Sequence, residues 1–152
     1  MFLILALVAV AVGPAKTTAA NDEVTVTGAT AATFAQGAKL GSVALRNLQV
    51  GTGVFIEPDG TAKGVYSAVL IGRSLLGLSQ QITIDGKVLS GEVAPDGRVY
   101  LNGIATINLG NGTPSISGVP FSVSTTGNSM SLAIDSTSLP AVQLASGDIV
   151  IN

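Results

Sequence analysis

IEPDGTAKGVYSAVLIG runs from Ile56 to Gly72, and APDGRVYLNGIATINLG runs from Ala94 to Gly110. Each holds a Pro-Asp-Gly turn followed by an apolar run that a glycine interrupts, Gly64 in the first and Gly103 in the second. Proline presets φ at the first corner of such a turn. Aspartate bonds back to the chain, and glycine takes the positive φ that completes the corner. The two stretches therefore predict two hairpins of one kind, a duplicated unit with too few copies for a solenoid.

The flanking sequence carries the same message. Ile82 and Ile84 alternate with Gln81 and Thr83, Phe121 and Val123 with serines, and Met130, Leu132 and Ile134 with Ser131 and Ala133. A period of two puts one face in a core and the other in water. Val, Ile and Thr are stiff at Cβ and suit a pleated surface. Strands are expected near 22–35, 42–56, 61–71, 79–84, 87–93, 98–109, 117–125, 129–135 and 141–151. Asp85-Gly86 between ITI and KVL predicts a two-residue hairpin, with weaker turns at Gly127-Asn128 and Ser146-Gly147. In VALRNLQV the apolar parity switches between Leu45 and Leu48, which predicts a β-bulge near Arg46-Asn47. RSLLGLSQ (Arg73 to Gln80) has room for one helical turn, interrupted by Gly77. GNGTPSISGVPF predicts a long hairpin connection, with Pro120 near a strand start where a missing N–H is tolerated.

The fold expected is all-β: a mostly antiparallel meander of about nine strands, forming a sandwich or a closed or partly closed barrel. An apolar N-terminal segment precedes it. MFLILALVAVAV (Met1 to Val12) is too short to span a bilayer as a helix. It has the length of the apolar region of a secretory signal, and Thr18-Ala19-Ala20 carries small residues where a signal peptidase reads. No Lys or Arg precedes the run. The expected division is a signal peptide or apolar segment at 1–20 and one β domain at 21–152, secreted or held in the cell envelope.

The composition narrows the chemistry. The chain has no Cys, no His and no Trp, and only 11% of its residues are charged, with a formal net charge of −2. Absent Cys removes disulfides and thiolate sites. Absent His removes the commonest general base and metal ligand. Seven scattered Lys and Arg make no phosphate-binding patch, so no nucleic-acid partner is expected.

Asp59 and Asp96 are the natural candidates for paired carboxylates or for Ca²⁺. Each turn offers one acid with only Glu57 close by, whereas Ca²⁺ takes six to eight oxygens, so both read as turn residues. Asp85 reads as a hairpin residue, Glu92 as a strand residue facing water, and Asp135 and Asp148 as strand-end residues. No spacing favours a carboxylate pair across a cleft. Lys39, Lys63 and Lys87 lack the Ser-x-x-Lys spacing of a Ser–Lys dyad. Asn111-Gly112-Thr113 is a glycosylation sequon that matters only in a glycosylating secretory pathway. No catalytic, cofactor-binding or metal-binding residue is nominated.

The function expected is therefore a non-catalytic secreted or cell-envelope β-domain with a structural or binding role. Two alternatives stand beside it. One is a barrel carrying an apolar small ligand, with Gly64, Gly91 and Gly103 either opening interior space or relieving crowding at bends. The other is a fibre or coat subunit that assembles through a retained N-terminal segment. Few Lys residues guard the strands, so self-association through sheet edges is a further expectation. Membrane contact is expected only if residues 1–20 are retained.

Overall fold

The computed structural model describes residues 22–146 and 149–152. The apolar segment at 1–20 lies outside them, as does Gly147 of the expected Ser146-Gly147 turn. The described residues form strands and turns without a helix. The strands are β1 (Val24–Thr33), β2 (Lys39–Leu40), β3 (Val43–Ile56), β4 (Thr61–Arg73), β5 (Ser79–Val93), β6 (Val99–Asn108), β7 (Ile116–Thr126), β8 (Ser129–Ile134), β9 (Thr137–Ser138), β10 (Val142–Ser146) and β11 (Ile149–Ile151).

From β3 to β8 each strand pairs antiparallel with the next, the meander that the hairpin turns predict. β1 then closes it. One edge of β1 pairs with β3 along its whole length, from Val24 opposite Ile56 to Thr33 opposite Asn47. The other edge pairs with β10 and β11. β10 meets β8 at only two positions, Val142 opposite Met130 and Gln143 opposite Ser129. β1, β3 to β8 and β10 thus form a ring of eight strands, and that narrow joint keeps it from being a regular barrel. The strands that end the sheet among the described residues, β2, β9 and β11, are two or three residues long. Ring closure removes the long edges that would otherwise invite pairing.

The pairing also sets the tilt. A path of paired residues crosses the wall from Val26 through Val54, Gly64, Val88, Gly103 and Phe121 to Ile134. It leaves β1 near its first residues. The ring returns to β1 near its last, where Gln143 lies opposite Thr33. Closure with such a stagger requires strands inclined to the ring axis.

Inside the ring the alternating apolar residues form one core, in which Leu70, Ile84 and Val88 are fully buried. Tyr66 and Phe121 stack at its centre, with ring centroids 5.4 Å apart. Their room comes from glycines on neighbouring strands. A Cβ on Gly86 would lie 2.6 Å from Phe121 Cε1, and one on Gly103 would lie 2.8 Å from the same atom. A Cβ on Gly91 would meet Ile56 Cδ1 at 2.8 Å.

This packing corrects one expectation. Asp85-Gly86 is not a turn, because β5 runs unbroken from Ser79 to Val93. Gly86 pairs with Tyr66 on one side and Ala105 on the other. It is a glycine because the Phe121 ring occupies the place of a side chain. The expected strands at 79–84 and 87–93 are therefore one strand.

RSLLGLSQ is likewise no helical turn but the tip of the β4–β5 hairpin. Gly77 N donates to Ser74 O at 2.9 Å and Ser74 N to Leu78 O at 2.9 Å. The two Pro-Asp-Gly turns have the same pair of bonds. Gly60 N donates to Glu57 O and Glu57 N to Thr61 O, while Gly97 N donates to Ala94 O and Ala94 N to Arg98 O. The corner glycines have φ of +86°, +77° and +82° in chain order. One turn geometry thus occurs three times, with Pro-Asp at its corners twice and Leu75-Leu76 once.

The bulge expected at Arg46-Asn47 is present, as a register shift between Leu45 and Asn47. Pro120, expected near a strand start, is instead the fifth residue of β7 and lies opposite Ile104. Its carbonyl accepts from Asp135 N at 2.8 Å, just past the last β7–β8 pair, Phe121 with Ile134. A strand residue points its N–H and C=O to the same side, so the missing N–H faces a place where no strand needs it.

The Tyr66 hydroxyl is buried without a protein hydrogen-bond partner, and burial pushes its ionisation well above the usual range. A buried unsatisfied hydroxyl costs about 1–3 kcal/mol. Tyr66→Phe keeps the stacked ring and removes that cost. It is expected to leave the free energy of unfolding unchanged or to raise it by about 1 kcal/mol, as measured by urea denaturation. A clear loss would show that the hydroxyl is satisfied.

Candidate functional site

The two Pro-Asp-Gly turns, far apart in sequence, come to the same end of the ring. Between them lies an open cleft of about 840 Å³, reached by Pro58, Asp59 and Gly60 from one turn and Pro95 from the other. Its floor is the end of β5, at Ser90, Gly91 and Glu92, beside Tyr100 and Asn102 of β6. Asp22 and Glu57 also border it. Most of the acids among the described residues lie at this end.

The turn aspartates are engaged by their own hairpins. Asp59 Oδ1 accepts from Thr61 N at 2.8 Å, and Asp96 Oδ1 accepts from Arg98 N at 3.2 Å. Asp96 Oδ2 also pairs with Arg98 Nε at 2.7 Å. These backbone bonds are the main reason both carboxyls lie below the usual carboxylate range, with Arg98 adding attraction at Asp96. A general acid or base for neutral pH needs the opposite shift. Glu57 Oε1 accepts from Lys63 Nζ at 2.5 Å.

The remaining acids are not drawn together with these. Asp85 is exposed midway along the wall, opposite Ser67 and Thr106. Asp135 sits after β8 with φ of +52°, a conformation that Asp tolerates better than most residues. Asp148 lies outside the described residues. Among the described residues no three acids are placed to hold a metal ion. Of the lysines, Lys63 serves Glu57, Lys87 is exposed between Val65 and Ile104 on the outer wall, and Lys39 lies at the far end on β2. Asn111 of the sequon is exposed, and its Oδ1 accepts from Thr113 N at 3.1 Å.

The carboxyl shifts predict a pH dependence. A carboxylate whose folded pKa is depressed stabilises the fold above its unfolded pKa, about 3.9 for Asp. That stability is lost as pH falls through the folded value. The wild-type urea midpoint is therefore expected to drop between pH 5 and strongly acidic pH, and Asp59→Asn/Asp96→Asn to flatten the drop. An identical acid limb in the variant would show that other groups set it.

Comparison with protein-family models, curated proteins and solved structures found no match, so the functional reading rests on these residues alone.

Proposed function

We propose that this chain is a non-catalytic secreted or cell-envelope β-domain that works by binding or by structure. The observation that carries the reading is the use of the interior. The space left by Gly86, Gly91 and Gly103 is taken by Phe121 and Ile56 of the chain itself. That packing favours a solid ring over a carrier chamber, and it leaves the ends and the outer wall for contact with partners. The depressed turn carboxyls, and the lack of His and Cys, favour a role without acid–base or nucleophilic chemistry. The apolar leader is the basis for placing the protein outside the cytoplasm.

The test is mass spectrometry, under native and denaturing conditions, of protein recovered from its source with the fraction recorded. The expected result is a chain beginning at Asn21, found in the medium or envelope, with the same mass under both conditions. A cytoplasmic chain retaining Met1 to Ala20 would overturn the export reading. A small apolar adduct that leaves only on denaturation would revive the carrier.

A further inference from the structure

The end of the ring away from the Pro-Asp-Gly turns has the opposite character. Its β4–β5 tip carries Leu75, Leu76 and Leu78, which are 84%, 85% and 65% exposed. The turn geometry does not call for leucine. The two other copies of this turn put Pro-Asp at the same corners and fold with the same bonds. Leucine at a solvent-facing corner stays in water and forgoes the favourable burial of its side chain, so a cluster of three points to a surface that covers it.

Cations stand at the base of this tip. Lys39 lies opposite Ala44, Ala44 opposite Arg73, and Arg73 opposite Ser79. Directly paired residues share a face, and all four are exposed. Lys39 and Arg73 are thus two strand spacings apart, about 10 Å. Arg46 is exposed two residues beyond Ala44, in the bulged part of β3. The ion pairs found among the described residues, Lys63–Glu57 and Arg98–Asp96, both lie at the other end. So do Asp22, Glu23, Glu57, Asp59, Glu92 and Asp96. β4 has 13 residues, which separates the ends by about 40 Å along the strand. That is several Debye lengths at physiological salt, so the distant acids do not cancel the field at the tip.

An apolar tip with cations on the β2–β4 side of its base, none of them in an ion pair among the described residues, matches one surface chemically. We propose that the β4–β5 tip docks on an anionic lipid surface, with Leu75, Leu76 and Leu78 entering the headgroup boundary and Lys39, Arg46 and Arg73 facing lipid phosphates. Two copies meeting tip to tip would bring their cations together, which disfavours self-association through the same face. The proposal deepens the binding role above by naming the surface met. Its failure is read at the tip, whereas failure of the export reading is read from location and mass.

The chain has no Trp, so Leu76→Trp in the full-length protein places a single indole at the tip. Its emission is expected to shift to the blue with vesicles of equimolar phosphatidylcholine and phosphatidylglycerol, and to stay unchanged with phosphatidylcholine alone. Adding Lys39→Gln, Arg46→Gln and Arg73→Gln should raise the lipid needed by about a hundredfold, at roughly fivefold per cation. Separately, Leu75→Pro/Leu76→Asp installs the residues of the two other turns, so it is expected to keep the fold and its melting temperature while lowering vesicle co-sedimentation. Three results would overturn the proposal: co-sedimentation without an indole shift, undiminished binding by the Pro-Asp variant, or a blue shift that grows with protein concentration without lipid. The last would assign the tip to a protein contact.

Discussion

Phe121→Ala is expected to destabilise the protein by about 3–5 kcal/mol, the range for removing a buried phenyl ring that its surroundings cannot replace. The size follows from where the ring sits. Phe121 is 4% exposed, stacks on Tyr66, and occupies the side-chain space of both Gly86 and Gly103. Neither glycine has atoms with which to refill the hole, and β-strands paired on both sides collapse poorly. The urea midpoint should fall with little change in the slope of the unfolding transition. A loss below about 1 kcal/mol would mean that the ring does not fill the centre.

The second large effect separates the two glycines. Gly86→Ala drives its Cβ chiefly against the Phe121 ring, at 2.6 and 2.8 Å from two ring carbons. Gly103→Ala drives its Cβ to 2.0 Å from the Lys87 carbonyl oxygen, a backbone atom of the adjoining strand. Overpacking a core costs about 1–3 kcal/mol. Gly103→Ala is expected at or above the top of that range, and Gly86→Ala within it. The cycle with Phe121→Ala then tells them apart. Much of the Gly86→Ala cost should vanish once the ring is gone, since the added methyl enters the cavity. The Gly103→Ala cost should persist, since the carbonyl remains. Equal rescue of both, or of neither, would contradict this packing.

These glycines also mark the limit of what the sequence shows. The Pro-Asp-Gly hairpins were legible because every determinant of such a turn is local: proline, aspartate and glycine stand side by side. The bulge near Arg46-Asn47 was legible because a parity switch is visible within eight residues. Asp85-Gly86 carries the same local chemistry as a turn and is none. Its glycine answers to Phe121, far along the chain and two strands away across β6. The Ser74–Leu78 tip failed in the other direction. It is a turn of the same geometry, but its apolar corners hide it, and only Gly77 gives the signal. β2 and β9 are too short to show a period at all.

The candidate site divides in the same way. That the aspartates belong to turns could be read from their neighbours. That both turns border one cleft could not, because it depends on how many strands the meander takes to come around. Nor could the pairing of Lys39, Ala44 and Arg73 at the base of the leucine tip, which depends on β3–β4 register. The three leucines in SLLGL carry no turn chemistry of their own, and their exposure stands out only when the tip is set against the two other turns of the same geometry.

The centre of the ring is filled by the chain's own side chains, Tyr66 and Phe121 among them. Proton NMR of the folded protein tests that most directly. The Phe121 ring protons should show cross-peaks to the Tyr66 ring and to the α-protons of Gly86 and Gly103, with those α-protons displaced from their random-coil positions by the ring. Glycine α-protons at random-coil positions, without cross-peaks to Phe121, would mean that the ring lies elsewhere and the centre is open. The carrier reading would then replace the one proposed here.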